Sequence, residues 1–123
     1  MGSAPIQNIG AYGVELKDVF QSCRAISIDN KILKTFNKEQ CNFTYRSSIF
    51  KEKRKNKYII SRVTFKLSKI NHVINSEYKP LKDLLKIKGN LNPTIQDISK
   101  LVIEIRTNKL PDPKKIGNCG SFF

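Results

Sequence analysis

Acidic side chains are scarce in this sequence, histidine and cysteine are scarcer, and long apolar runs are missing. Only 10 Asp and Glu stand against 23 Lys and Arg in 123 residues, a formal charge of +13. No stretch approaches the roughly 18 consecutive apolar residues of a spanning helix, so a membrane protein is not expected. No cationic segment leads into an apolar core after Met1, which speaks against a secretory signal and for a cytoplasmic setting. The three cysteines, Cys23, Cys41 and Cys119, form no C-x-x-C pair and have no histidine cluster beside them. Neither a disulfide framework nor a metal site follows from that spacing. The one histidine, His72, lies in a polar stretch without the partners that acid–base chemistry requires.

At 39% hydrophobic residues and a mean hydropathy of -0.40 the chain is too apolar for a disordered tail. Its length leads one to expect one ordinary domain. Excess positive charge commonly marks a polyanionic partner. A second cause is available here, because Lys, Ile and Asn supply 45 residues while Ala supplies 3, the bias of an AT-rich coding sequence. The charges spread along the chain, with one dense run at Lys51-Glu52-Lys53-Arg54-Lys55-Asn56-Lys57. That run can attract phosphate without reading a sequence.

The pattern of elements is mixed α and β. Residues 24–28 and 31–36 flank Asp29-Asn30, which tolerate positive φ, and predict a hairpin. Asn37 and Gln40 have the spacing of a capping box and predict a helical turn through Cys41. Residues 58–67 place Ile59, Val63, Phe65 and Leu67 on one parity and Arg62, Thr64 and Lys66 on the other, the pattern of a half-buried strand. A short helix is expected from about Tyr78 to before Gly89. A longer one is expected after Thr94, capped with Asp97, striped by Ile95, Ile98, Leu101, Val102 and Ile105, and stopped by Pro111 and Pro113.

Three segments carry more than composition. Residues 2–13 pack three glycines among small and amide side chains, a loop whose backbone N–H groups can approach a phosphate, though its spacing is no dinucleotide fingerprint. Residues 41–51 set Arg46 among aromatic and hydroxyl residues with no acidic neighbour, where it can clamp a carboxylate or stack on Tyr45. Residues 117–123 place Ser121 between glycine and phenylalanine, without a base to make it a nucleophile but able to deliver a proton.

In this order the segments resemble the UDP-N-acetylenolpyruvoylglucosamine reductases, also called UDP-N-acetylmuramate dehydrogenases. The resemblance rests on Gly2-Ser3-x-Pro5-x-Gln7-Asn8-x-Gly10-Ala11-Tyr12-Gly13 and on Cys41-x-Phe43-x-Tyr45-Arg46-x-Ser48-x-Phe50-Lys51. It continues in Arg106-x-x-Lys109-Leu110-Pro111-Asp112-Pro113 and Gly117-Asn118-x-Gly120-Ser121-Phe122-Phe123. It implies an α+β fold in which residues 1–110 are the C-terminal part of a vanillyl-alcohol-oxidase-type FAD-binding domain, with an insertion at 71–93. Residues 111–123 would begin a truncated substrate-binding domain.

The family chemistry it implies is NADPH-dependent, FAD-mediated reduction of UDP-N-acetylglucosamine enolpyruvate to UDP-N-acetylmuramate. Arg46 would stabilise the developing enolate and Ser121 would protonate it. Ser3, Ile6, Gln7, Gly10, Tyr12 and Ile60 match flavin positions, and Tyr45, Tyr78 and Lys109 match substrate positions. Thr44, Ser47 and Cys119 depart from the usual Gly, Asp and Ala. The expectation is therefore an internal fragment of such an enzyme, inactive alone and completed by the missing parts of the same protein. Its alternatives are a non-catalytic remnant and a basic nucleic-acid-binding module.

Overall fold

Three antiparallel strands and two short hairpin strands account for all the β structure in the computed structural model, which describes residues 2–112 and 114–117. The chain divides into two compact units, Met1–Asn71 and His72–Phe123. The first holds β1 (Gly10–Ala11), β2 (Val14–Glu15), α1 (Leu16–Val19), β3 (Phe20–Ser27), β4 (Leu33–Asn37), α2 (Lys38–Cys41) and β5 (Tyr58–Phe65). The second holds α3 (Lys79–Ile87) and α4 (Ile95–Lys109). Together they make an α+β chain.

In the first unit β3 is the central strand, paired antiparallel with β4 on one side and β5 on the other. Phe20, Cys23 and Ala25 of β3 point into a core completed by Leu16, Phe36, Cys41, Ile49 and Phe50. Aromatic edges meet faces throughout this core. Phe36 lies 5.1 Å from Phe50 and 5.2 Å from Tyr58, and Phe20 lies 4.9 Å from Phe43, ring centroid to ring centroid. Such perpendicular pairs add about 0.5–1.5 kcal/mol each beyond the area they bury. Cys23 and Cys41 are free thiols in this core, fully buried and hydrogen-bonded to each other. That bond and the burial push the Cys41 thiol up, so it stays protonated and inert.

The expected parity of β5 does not survive folding. Tyr58, Ile60 and Val63 pack against the core, while Ile59 is 61% exposed and Phe65 39% exposed. The register explains it: Arg24 pairs with Arg62, but Ala25 pairs with Ile60, which leaves Ser61 as an extra residue. This β-bulge, closed by Ser61 Oγ donating to the Arg24 carbonyl at 3.1 Å, turns the strand over by one position. A second irregularity between Phe20 and Ser22 does the same to β3 at Gln21. The strand also ends at Phe65, short of the expected Leu67.

The β3–β4 hairpin is present with a wider turn than expected. Ser27 N–H donates to Ile32 O at 2.9 Å, and the residue in the left-handed region is Lys31, φ 61°, in place of Asp29 or Asn30. Asn30 instead accepts the Ile32 amide through its side chain. The capping box that opens α2 is as read from sequence, Asn37 Oδ1 accepting Gln40 N–H at 2.8 Å and Gln40 Oε1 accepting Asn37 N–H at 3.0 Å.

Both helices of the second unit fall where the sequence puts them. Pro80 sits in the first turn of α3, and Gly89, φ 63°, follows its end. In α4 the Thr94 hydroxyl accepts Asp97 N–H, Asp97 returns the bond, and Leu101 and Ile105 are the buried members of the stripe.

Candidate functional site

The glycine-rich loop is held by turns of its own. Ile6 N–H donates to Ser3 O and Ile9 N–H to Ala4 O, and the chain then enters the β1–β2 hairpin. Tyr12 (φ 54°) and Gly13 (φ 83°) form its two-residue turn, both with positive φ as a tight hairpin of this hand requires. Two glycines are fixed by close approach. A Cβ on Gly2 would stand 2.8 Å from Ile60 O, and one on Gly10 would stand 2.8 Å from Val14 O and 3.4 Å from Arg46 Nη1. Glycine at 10 is thus set by the close Val14 carbonyl of the hairpin, and the Arg46 guanidinium lies in ordinary van der Waals range of the same position.

Arg46 reaches that place from a tight reversal. Thr44 and Ser47 bond each other in both directions, with Tyr45 and Arg46 at the tip and Arg46 in the left-handed region at φ 52°. A non-glycine residue there costs about 1 kcal/mol or more, offset by the surrounding contacts. The guanidinium lies 5.8 Å from the centroid of the Tyr45 ring, which is 81% exposed. No carboxylate pairs with Arg46 among the described residues. Glu15, the acid nearest Gly10, is engaged by Lys17 at 2.6 Å, a bond that raises the Lys17 pKa. Lys51 Nζ donates to the Arg46 carbonyl at 3.0 Å.

Two buried polar side chains tie the reversal to the loop. Asn8 is fully buried, with Nδ2 donating to Thr44 O at 3.0 Å and Oδ1 accepting Lys17 N–H at 3.0 Å. Ser48 is also buried; its Oγ donates to Ile6 O at 2.8 Å and accepts Phe50 N–H at 3.2 Å. Neither was among the sequence candidates. The available signal was a polar residue inside each motif, which spacing alone does not separate from solvent-facing neighbours.

No family model matches the chain. Curated relatives match it from end to end: proteins named UDP-N-acetylenolpyruvoylglucosamine reductase from Flavobacterium johnsoniae at 51% identity, Amoebophilus asiaticus at 48% and Pseudomonas fluorescens at 45%, each over 123 residues. Over its whole length the chain is similar to one segment of these reductases and fits a fragment of that family. It spans 36% of the length of those relatives. Among solved structures, the reductase from Thermus caldophilus covers 84% of the chain and 29% of its own length, at 17% identity and a TM-score of 0.47.

The positions expected from the sequence resemblance fall into groups. Ser3, Ile6, Gln7, Gly10, Tyr12, Ile60, Tyr45 and Arg46 all lie in the first unit. There the structure brings Gly10 to Arg46, Arg46 to Tyr45, and the start of the loop to Ile60. Ser3 and Gln7 are exposed, and neither side chain has a hydrogen-bond partner among the described residues. Tyr78 and Lys109 meet in the second unit, Lys109 Nζ donating to the Tyr78 hydroxyl at 3.3 Å and lying 5.8 Å from the centroid of its ring, with Tyr78 as the N-cap of α3. Ser121 lies outside the described residues. Among the described residues no cluster of three His, Cys, Asp or Glu could hold a metal ion, and no helix is long and apolar enough to cross a membrane.

The basic run has a partly structural use. Arg54 stacks over Phe36 at 5.2 Å and Tyr58 at 5.6 Å and donates to the Tyr58 hydroxyl at 3.2 Å. It lids the core and leaves the neighbouring lysines to solvent.

Proposed function

We propose that this chain serves the reduction of UDP-N-acetylglucosamine enolpyruvate to UDP-N-acetylmuramate, in the cytoplasmic synthesis of peptidoglycan precursors. The observation that carries the reading is Arg46, a cation without a carboxylate partner among the described residues, held beside Gly10 of the loop that the family uses for flavin. The first unit is then part of a vanillyl-alcohol-oxidase-type FAD-binding domain. Its residues fit a flavin nucleotide: Ser3 and Gln7 offer uncommitted polar groups, and Gly2 and Gly10 keep the loop free of side chains. Bound FAD would accept hydride from NADPH and deliver it to the enolpyruvyl double bond.

The protein's part is positioning and charge. Arg46 faces the substrate carboxylate, onto which negative charge spreads as hydride arrives, and stabilises it without moving. Ser121 supplies the proton to the neighbouring carbon. Tyr45 covers the guanidinium, and Tyr78 with Lys109 contacts the UDP-sugar, Lys109 suited to its phosphates.

The test uses a full-length reductase carrying these 123 residues. Arg46→Ala is expected to slow reoxidation of the flavin by the enolpyruvyl substrate about 10²-fold, the usual loss for one such electrostatic contact. Ser121→Ala is expected to slow that same step about 10²-fold to 10⁴-fold. Both should leave reduction by NADPH nearly intact, as stopped-flow flavin absorbance separates the two half-reactions. Loss of the NADPH step with normal reoxidation would overturn the assignment.

A further inference from the structure

Arg46 sits at the tip of an exposed reversal in a strained conformation, yet its guanidinium stands against a specific glycine. Something must hold the base of that reversal. Within the turn there are only the two mutual backbone bonds of Thr44 and Ser47. Lys51 and Glu52, just after the turn, reach the Arg46 carbonyl and the Ser47 hydroxyl; the side chain that reaches the Thr44 carbonyl at the base is Asn8, 36 residues away in sequence, from the loop against which Arg46 lies.

We propose that Asn8 is a positioning residue for Arg46, its buried carboxamide locking the base of the Thr44–Ser47 reversal to the glycine loop. The chemistry of the position admits few other residues. Its backbone is in the left-handed region at φ 42°, which Gly, Asn and Asp tolerate best. Its side chain must donate to one group, Thr44 O, and accept from another, Lys17 N–H. Asp satisfies the backbone but turns a carboxylate oxygen toward a carbonyl; Gly satisfies the backbone and makes neither bond. Asn alone of the three does all of this. Ser48 makes the parallel tie on the other side of the reversal, from Oγ to Ile6 O. Loop and turn are thus joined at two buried points, with Gly10 and Arg46 between them in the same local assembly.

The geometric half of this proposal is independent of any activity; the kinetic half rests on the reductase reading above. The first arm measures amide hydrogen exchange in the 123-residue chain. Asn8→Gly is expected to speed exchange at Thr44 and Ser47 at least about tenfold, as a buried bond is lost without new backbone strain, while amides between β3 and β4 hold their protection. Unchanged exchange at Thr44 and Ser47 would overturn the proposal. The second arm uses the full-length reductase. Asn8→Gly and Asn8→Asp should each slow reoxidation by saturating enolpyruvyl substrate about 10²-fold, the effect of misplacing a charge by about 1 Å, with reduction by NADPH retained. Phe36→Leu, a core change chosen to lower the melting temperature comparably, should leave reoxidation per flavin-loaded molecule unchanged. If it slows reoxidation equally, or if the Asn8 variants do not slow it in an active enzyme, Asn8 is structural only. A wild-type protein that never reduces the enolpyruvyl substrate would sink the reductase reading, and the exchange arm would still decide whether Asn8 holds the turn.

Discussion

At the scale of single residues, Arg46 shows a conflict between stability and use. Its left-handed φ of 52° costs about 1 kcal/mol or more, and its stacking on exposed Tyr45 returns about 0.5 kcal/mol. Strain wins in that comparison. Arg46→Gly is therefore expected to raise the unfolding free energy by about 0.5 kcal/mol in urea titrations while removing the cation the proposed reaction needs. A destabilised Arg46→Gly protein would mean that the guanidinium contributes more to folding than to the site. Asn8 and Ser48 belong to this scale as well. Each polar atom of these side chains has a backbone partner inside the fold, so truncating either leaves backbone groups without that bond.

At the scale of elements, the caps and the bulge behave oppositely. Thr94 and Asp97 are three residues apart, and their mutual bonds form from local sequence alone. Thr94→Ala should cost about 1 kcal/mol and reduce helical circular dichroism. Asp97 is held below the usual carboxylate range, first by the Thr94 backbone N–H and then by its hydroxyl. Its ionised form is the folded form's partner. The contribution of Asp97 is therefore present above about pH 4, the unfolded carboxylate value, and is lost as pH falls through the lower folded value. Acid titration of helical signal should show this loss in wild type and not in Asp97→Asn. The Ser61 bulge depends instead on distant pairing. Deleting Ser61 would remove the extra residue and leave Tyr58, Ile60 and Val63 in strict alternation on the core face, so urea unfolding should show a loss of only about 1 kcal/mol, that of the Ser61 bond to the Arg24 carbonyl. Ser61→Gly, which keeps the extra residue, should also cost about 1 kcal/mol.

At the scale of the whole molecule, a charge of +13 will attract polyanions whatever the chain does. Exposed Lys53, Lys55 and Lys57 give the dense run about three phosphate contacts, so DNA affinity should fall roughly fortyfold between about 50 and 200 mM salt, without sequence preference. Lys53→Ala should flatten that salt dependence. Arg54→Ala should leave it alone and lower stability, because Arg54 is stacked on Phe36 and Tyr58. Tight binding to one sequence would overturn this account. By itself the sequence determined the capping boxes at Asn37–Gln40 and Thr94–Asp97, the helices they open or precede, the presence of the β3–β4 hairpin and the family segments. These are interactions within a few residues, whose outcome a short stretch of chain decides. Only the tertiary structure decided which face of β5 is buried, because the bulge at Ser61 exists to satisfy Tyr58 and Ile60 at once with Val63 against a shared core. It also decided that Lys31 rather than Asn30 takes the left-handed position, and that Asn8 meets Thr44 across 36 residues. Such pairings form only when the chain closes on itself and buried polar groups must find partners away from water, a requirement that acts on neighbours in space and leaves no periodicity in the sequence.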